Sequence, residues 1–312
     1  MRVLLAGASG VVGRPLTALL AGAGHDVVGT TRSRSKAEAI RAAGAEPAIV
    51  DALDLPALEA VVAEARPEVV INQLTALPDA LDFRDPDSLA ATNRLRSEVG
   101  PALARMAAEA GARRLIAQSV AFFYAPVGDR VVSEDAPLME LPDGSPMAAG
   151  PPALRELERS ALETPGIEGV ILRYGYFYGP GTYYAADGSI AEQVRKRRFP
   201  VIGAGTGVFS FIHVDDAAAA TLAALERGAP GAYNVSDDEP APMSEWLPAF
   251  AEAIGAKRPR RVPVCLARLF AGKEAAGLAT ELRGASNAKA RRELGWAPRY
   301  ASWRQGFREA LG

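Results

Sequence analysis

The sequence predicts an α/β fold in which a parallel sheet carries helices on both faces. Three observations support this prediction. A glycine-rich turn directly follows the first apolar run, within residues 1–13. Short apolar runs then alternate with helical segments, a pattern that builds a parallel sheet because each strand must return over one face through a helix. After residue 174 the alternation becomes irregular and proline-rich joints occur. This organisation is typical of a Rossmann-type doubly wound parallel sheet with a smaller C-terminal subdomain, which we expect to bind substrate.

The first strand runs into the turn Gly7-Ala8-Ser9-Gly10-Val11-Val12-Gly13. Glycine at three positions keeps the turn tight, lets the backbone approach a pyrophosphate, and lets the next helix direct its free N–H groups at the anion. Apolar leucines at helical spacing indicate that helix after the turn. We therefore predict a nicotinamide dinucleotide site with contacts from Gly7, Ser9, Gly10, Val11, Val12 and Gly13.

Further strands are predicted at residues 25–31, 46–50, 68–74, 113–119 and 169–174, with helical segments that include 57–65 and 88–110. We assign residues 1–174 to a dinucleotide-binding domain, to which residues 208–235 return. Residues 175–207 and 236–312 form the expected substrate-binding subdomain. Ligands of such sheets lie at the carboxyl ends of the strands, so we expect the cleft between the two parts.

Composition excludes several classes of function. The formal net charge of −2 gives no basic field for nucleic acid, and the short basic run at residues 195–198 is typical of a solvated helix face. One cysteine and two histidines exclude an internal disulfide and argue against a metal site. The chain has no apolar stretch of about 18 residues and no leader pattern at its start. We expect a cytoplasmic protein that binds neither membrane nor nucleic acid.

The residues after the second predicted strand distinguish NADP from NAD. A carboxylate at this place accepts a hydrogen bond from the ribose 2′-hydroxyl of NAD but repels the 2′-phosphate of NADP. Here the chain has Thr31, Arg32 and Ser33, and no acidic residue. The Arg32 guanidinium can bind a phosphate in its fork while the two hydroxyls donate to it. We therefore favour NADP(H), with NAD(H) as the alternative if these are only solvated loop residues.

Together these motifs resemble the extended short-chain dehydrogenases/reductases, the NAD(P)-dependent epimerase/dehydratase family, over nearly the whole chain. The matching segments after the glycine turn are Asp51, Leu74-Thr75-Ala76, Asn93, Arg173, Tyr178-Gly179-Pro180-Gly181, the segment 211–216 and Leu294-Gly295-Trp296. The resemblance implies that Asp51 caps the adenine. It also implies that the cofactor contacts include Asp51, Ala52, Leu74, Thr75, Ala76 and Tyr174.

The expected active site departs from the family pattern. Members typically transfer protons with a Tyr-x-x-x-Lys pair and a serine or threonine after the fifth strand. Residues 142–162, where the pair belongs, contain neither tyrosine nor lysine, and Pro151-Pro152 indicates the start of a helix. The usual hydroxyl position falls at Val120, next to Ser119. Nucleotide-sugar epimerases of the family also carry an arginine where this chain has Phe209, which favours a smaller or more apolar substrate.

Aromatic residues are concentrated near the expected cleft, since five of the eight tyrosines lie between residues 174 and 184. Tyrosine offers an apolar face and a hydroxyl that can donate to a carbonyl oxygen, so this cluster could line a pocket and supply the missing proton, or simply pack the junction. The candidate catalytic residues are Ser119, Tyr124 and Tyr176. We interpret His213 as a helix-start residue that bonds backbone, and Cys265 as a buried or half-buried residue that is not a nucleophile.

The first hypothesis is an NADP(H)-dependent oxidoreductase that transfers hydride to or from a small, largely uncharged carbonyl, imine or activated alkene. One alternative is an NAD-dependent nucleotide-sugar epimerase or dehydratase. Another is a non-catalytic redox sensor that binds NADP(H). The resemblance also implies a homodimer that pairs through the helices predicted at residues 88–110 and 151–164.

Overall fold

The computed structural model of the chain describes residues 1–80, 82 and 84–311. The strands are β1 (Arg2–Ala6), β2 (Asp26–Thr31), β3 (Glu46–Ile49), β4 (Val69–Asn72), β5 (Arg114–Val120), β6 (Val131–Val132), β7 (Glu168–Tyr174), β8 (Tyr176–Tyr178), β9 (Val201–Ile202), β10 (Val208–Phe209), β11 (Phe211–His213), β12 (Gly231–Val235), β13 (Ala241–Pro242), β14 (Arg261–Val262) and β15 (Gly284–Ala285). The α-helices are α1 (Gly13–Gly22), α2 (Arg34–Ala42), α3 (Leu55–Ala65), α4 (Ala90–Arg94), α5 (Gly100–Glu109), α6 (Gly150–Glu163), α7 (Ser189–Arg195), α8 (Val214–Ala223), α9 (Met243–Ala253), α10 (Val264–Ala271), α11 (Lys273–Glu281), α12 (Ala288–Glu293) and α13 (Trp303–Leu311).

Seven strands form one parallel sheet in the order β12-β7-β5-β4-β1-β2-β3. The chain first builds the sheet outward from β1 through β2 to β3, and then returns to the other side of β1 with β4. The carboxyl ends of β1 and β4 therefore flank a crevice where the direction of winding reverses, which is where such sheets bind ligands. The predicted α/β class and Rossmann-type sheet are confirmed.

Helices cover both faces of the sheet, and alternate residues of β1 pack against the helices of opposite faces. Val3 and Leu5 pack in one apolar cluster with residues of α1 and α8. Leu4 and Ala6 pack in a second cluster with residues of α3, α5 and α6. Because Val3, Leu4, Leu5 and Ala6 are all buried on one side or the other, this central strand reads as a continuous apolar run in the sequence.

A third apolar cluster forms the core of the C-terminal part, and it is rich in aromatic side chains such as Phe211, Trp246 and Phe250. The segment 231–235 leaves this part and pairs in the main sheet beside β7. Cys265 is exposed, so its expected burial is wrong. The reason is that α10 lies at the surface, where Leu269 and Phe270 are 75% and 70% exposed.

The helix expected over residues 88–110 is present, and its hydrogen-bond register changes along its length. A 3₁₀ turn (Pro86–Leu89), α4, a π-helical turn (Leu95–Val99) and α5 follow one another. Next to the π turn, a Cβ at Gly100 would lie 2.7 Å from Leu157 Cδ1, so close packing on α6 accompanies the change of helical register. The helix start expected at Pro151-Pro152 is confirmed, because α6 begins with proline in its first turn. Among the described residues, no helix combines the length and apolar character needed to cross a membrane.

Candidate active site

A cleft of about 1000 Å³ opens at the carboxyl ends of the sheet strands. Its walls come from the β1–α1 turn, from residues that follow β2, β4, β5 and β7, and from the loop 181–189, with Leu278 of α11 on the far side. Parts of the chain that are distant in sequence thus meet where the sheet ends. This is the place at which a doubly wound sheet binds a dinucleotide.

The glycine turn has no room for side chains. Gly7 has a φ of +91°, and a Cβ there would lie 2.8 Å from the Gln73 carbonyl oxygen. A Cβ at Gly13 would lie 2.1 Å from the Gly7 carbonyl oxygen, so α1 can begin only with glycine. In the described part of the chain, the N–H groups of Val11 and Val12 make no backbone hydrogen bond. Free donors at a helix N-terminus beside Ser9 and Gly10 fit a pyrophosphate.

Hydroxyls and cations surround the end of β2. Ser9 and Thr31 share a hydrogen bond of 2.9 Å between their hydroxyls, and the Thr31 hydroxyl accepts from the Ser33 N–H at 3.2 Å. Arg32 is exposed and lines the cleft together with Lys36. This arrangement fits the adenosine half of a dinucleotide.

Of the remaining residues expected at the cofactor, some line the cleft and others do not. Thr75 and Ala76 line the cleft after β4, and Tyr174 lines it at the end of β7. Asp51, Ala52 and Leu74 lie outside the cleft lining, as do Gly7, Thr31 and Ser33. The Asp51 carboxylate is exposed and accepts from the Leu53 N–H at 3.1 Å.

Gln73 is a buried group whose hydrogen bonds are incomplete. Its Nε2 donates to the Tyr174 hydroxyl at 3.2 Å, whereas its Oε1 is buried without a partner among the described residues. Gln73 also lines the cleft. A buried acceptor without a donor is costly, so this oxygen is suited to accept from a bound ligand. Burial raises the pKa of Tyr174 to about 12, and its hydroxyl also shares a 2.6 Å hydrogen bond with Thr221.

Two of the expected catalytic hydroxyls belong to a buried network outside the cleft lining. The Ser119 hydroxyl donates to Glu158 Oε1 at 2.6 Å, and Arg173 forms a two-pronged ion pair with the same carboxylate at 2.9 and 2.6 Å. The Tyr124 hydroxyl donates to Asn234 Oδ1 at 2.6 Å and accepts from Arg173 Nη1 at 3.1 Å. Both hydroxyls are therefore engaged in joining α6, β7 and β12, which favours a structural role for them.

Tyr176 is the expected catalytic residue that reaches the cleft. Its ring stacks on Phe122 with 4.3 Å between the ring centroids. Burial raises the pKa of the Tyr176 hydroxyl well above its usual value, and Tyr184 adds to the increase. The hydroxyl therefore stays protonated near neutral pH and can donate a hydrogen bond but not act as a base.

Val120, Met147 and Phe209 are apolar residues in the segments where the resemblance led us to expect polar groups. Val120, the residue at the usual hydroxyl position, lines the cleft. From residues 142–162, Met147 lines it. Phe209 is 5% exposed and packs in the C-terminal core against Trp246, with 5.0 Å between ring centroids. The basic run 195–198 does not line the cleft, so it places no charge there.

His213 takes the structural role expected of it. It caps α8, where its Nδ1 accepts from the Asp215 N–H at 3.2 Å. Asp216 lies in the first turn of α8, and its carboxylate accepts hydrogen bonds from the N–H groups of Arg299 and Tyr300 at 2.8 and 3.1 Å. These bonds fix the C-terminal segment against the sheet.

Arg14, Gln73 and Arg96 are among the polar residues of the cleft that sequence reasoning did not single out. Gln73 directly follows the buried strand β4, and a polar residue at the carboxyl end of such a strand is a recognisable candidate for a ligand contact. Arg96 follows Thr92 and precedes Val99 at helical spacing, and both neighbours are buried. An arginine on the buried side of a helix was therefore the available signal for Arg96.

Comparison with known proteins identifies related sequences and structures. The model of the NAD dependent epimerase/dehydratase family matches residues 3–236. The chain is 47% identical over 309 residues to the 3-diazoavenalumate denitrifying reductase of a Streptomyces species, covering 98% of this chain and 99% of that protein. It is 25% identical to the UDP-glucose 4-epimerase of Thermus thermophilus, solved in complex with NAD, with a TM-score of 0.73 and coverage of 99% and 97%.

The fold is also shared with the human epimerase family protein SDR39U1, solved with NADPH, at 19% identity, a TM-score of 0.73 and coverage of 99% of both chains. The family model covers residues 3–236, and both structural matches extend over 99% of the chain. The chain therefore belongs to the NAD dependent epimerase/dehydratase family and is an oxidoreductase that uses a nicotinamide dinucleotide.

Proposed function

We propose that this chain is an NADPH-dependent reductase of a small, largely apolar aromatic substrate whose reducible group needs no proton from the protein. The observation that carries the proposal is the wall of the cleft at the ends of β5 and β7. Val120, Phe122, Phe123, Met147 and Tyr176 line it. These side chains bind a flat apolar molecule well and offer little acid or base chemistry.

The preference for NADPH rests on the loop after β2. Arg32 and Lys36 line the cleft, and no ion pair occupies either cation in the described part of the chain. Ser35 lines the cleft beside them, and its hydroxyl shares a hydrogen bond of 2.7 Å with the Ser33 hydroxyl. An unpaired guanidinium and ammonium beside a hydroxyl favour a 2′-phosphate over a 2′-hydroxyl.

A diazo-substituted arene is the first substrate class to consider, because the Streptomyces relative is named for a diazo compound and for loss of nitrogen. Bound in the cleft, the reduced nicotinamide would supply a hydride, and displacement of N2 from an arenediazonium carbon by hydride balances without a proton. The C–N electron pair leaves with N2 in that step, and the new C–H bond takes its pair from the hydride. The chain's own residues then have to hold the ring and exclude water, which the aromatic wall does by packing against it.

A carbonyl, imine or activated alkene is the second substrate class. Such an acceptor gains a proton during reduction, and Tyr176 offers a hydroxyl in the cleft that stays protonated. Tyr176 would then donate to the substrate heteroatom, and Phe122, stacked on its ring, would fix its direction. The two classes thus differ in whether Tyr176 matters to the rate.

The test is consumption of NADPH and of NADH by the purified protein with a panel that contains an ortho-quinone diazide, an aromatic aldehyde, a cyclic imine and an enone. We expect NADPH consumption with the diazide and release of N2 in equal amount. Interconversion of UDP-glucose and UDP-galactose without net NADPH consumption would instead establish the epimerase alternative. Tight NADPH binding with no turnover of any panel member would favour the sensor alternative.

A further inference from the structure

Arg96 is a cation of the cleft that belongs neither to the β1–α1 turn nor to the loop after β2. It lies in the π-helical turn Leu95–Val99, between α4 and α5. It lines the cleft together with Leu89 and Met147, which also line a small side pocket. The other described residues of that side pocket are polar or acidic apart from one proline: Asp82, Asp85, Ser88, Asn93 and Pro146. Departures from α-helical register often occur at functional sites, since they redirect a side chain, and here that side chain is a guanidinium.

No carboxylate pairs with Arg96 in the described part of the chain. The hydrogen bond that its side chain makes is from Nη1 to Asn93 Oδ1, and at 3.4 Å it is a long one. The nearby Arg94, by contrast, is exposed and holds Glu98 with two hydrogen bonds of 2.9 and 3.0 Å. Burial lowers the pKa of Arg96 to about 10, with no compensating charge, and the group is still cationic at neutral pH.

A half-buried cation without a counter-charge is costly to keep, and the cost is recovered when an anion arrives. The guanidinium presents planar N–H donors that suit two oxygens of a carboxylate or one phenolate oxygen. Since apolar side chains such as Leu89 and Met147 line the same cleft as Arg96, we expect the partner to be a compact organic anion with an apolar body.

We propose that Arg96 binds an anionic oxygen of the substrate, as carried by a carboxylate or a phenolate, and so sets the orientation of the aromatic ring in the cleft. This assignment rests on the proposed function for its choice of an aromatic substrate. It narrows the proposed substrate class from largely apolar aromatic molecules to those that also carry an acidic group at one end.

The test measures binding rather than turnover. 4-Hydroxycinnamate, its methyl ester and 4-methoxycinnamate are titrated into the NADP⁺-saturated protein by calorimetry. The variants are Arg96→Met, which keeps the length of the side chain without its charge, and Arg94→Met as a matched control on the same segment. We expect the dissociation constant of 4-hydroxycinnamate to rise roughly 10- to 100-fold in Arg96→Met and to stay unchanged in Arg94→Met.

The two modified probes identify the oxygen. If the carboxylate is the anchor, the methyl ester binds wild type as weakly as the acid binds Arg96→Met. If the phenol is the anchor, 4-methoxycinnamate shows this loss instead. Either pattern supports the assignment.

Three results would overturn it: no binding of 4-hydroxycinnamate to wild type, equal binding to wild type and Arg96→Met, or weaker NADP⁺ binding in Arg96→Met, which would make Arg96 a cofactor residue. A protein that binds the acid through Arg96 yet reduces no member of the panel would refute the proposed function alone. Retained NADP⁺ affinity in Arg96→Met also shows that the variant is folded.

Discussion

Replacing Glu158 with alanine should destabilise the protein strongly although the residue lies outside the cleft lining. Its carboxylate accepts hydrogen bonds from Arg173 Nε at 2.9 Å, from Arg173 Nη2 at 2.6 Å and from Ser119 Oγ at 2.6 Å. Glu158 is 6% exposed and Arg173 is 7% exposed, so Glu158→Ala leaves a buried guanidinium without its counter-charge. Breaking a buried pair in this way costs roughly 3–5 kcal/mol. For a chain of this length, that corresponds to a fall of about 5 to 8 °C in the unfolding midpoint.

The measurement is thermal unfolding followed by tryptophan fluorescence, with NADPH absent. Arg159→Ala is the matched control, because Arg159 is the next residue of α6 and its pairs with Glu156 and Glu163 are exposed. Exposed pairs contribute little, so we expect its midpoint within about 1 °C of wild type. Equal midpoints for Glu158→Ala and Arg159→Ala would refute the structural role given to the buried network.

Four further outcomes are expected. Gly13→Ala should weaken NADPH binding at least about 100-fold in fluorescence titrations, because its Cβ would lie 2.1 Å from a backbone oxygen; unchanged binding would contradict the tight turn. Arg32→Ala should raise the dissociation constant of NADPH roughly 10-fold or more and spare that of NADH, with the exposed Arg34→Ala as control. Tyr176→Phe should leave diazide reduction within about threefold but slow reduction of a carbonyl substrate roughly 100-fold. Ser119→Ala should retain kcat and lose about 1–3 kcal/mol of stability, by chemical denaturation.

Most of the sheet could be predicted from the sequence, and the reason is burial on both faces. The strand predicted at 113–119 is shifted by one residue from the observed Arg114–Val120, and the strand predicted at 169–174 starts one residue after the observed Glu168–Tyr174. The change of helical register within residues 88–110 was not predicted, and it lies next to the close approach of Gly100 to Leu157 of another helix. Local sequence carries no record of such a tertiary contact.

The cofactor half of the site was more predictable than the substrate half. The glycine turn performs its role through local backbone geometry, so spacing alone identifies it. The catalytic candidates Ser119, within β5, and Tyr124, after it, are at the correct strand, but their hydroxyls bond Glu158, Asn234 and Arg173 in a buried network outside the cleft lining. The helix that packs beside a strand end, here α6, decides which side chains face the ligand. That packing is a tertiary contact, so the sequence alone does not predict it.

The most direct test of the central claim, hydride delivery from NADPH to a small aromatic substrate, is a single-turnover reaction with NADPH that carries deuterium at the transferable C4 position. The product is analysed by mass spectrometry and by proton nuclear magnetic resonance. The account predicts one deuterium in the product, on the ring carbon that loses nitrogen when the substrate is a diazide. A product without deuterium, or deuterium retained entirely in the cofactor, would contradict it.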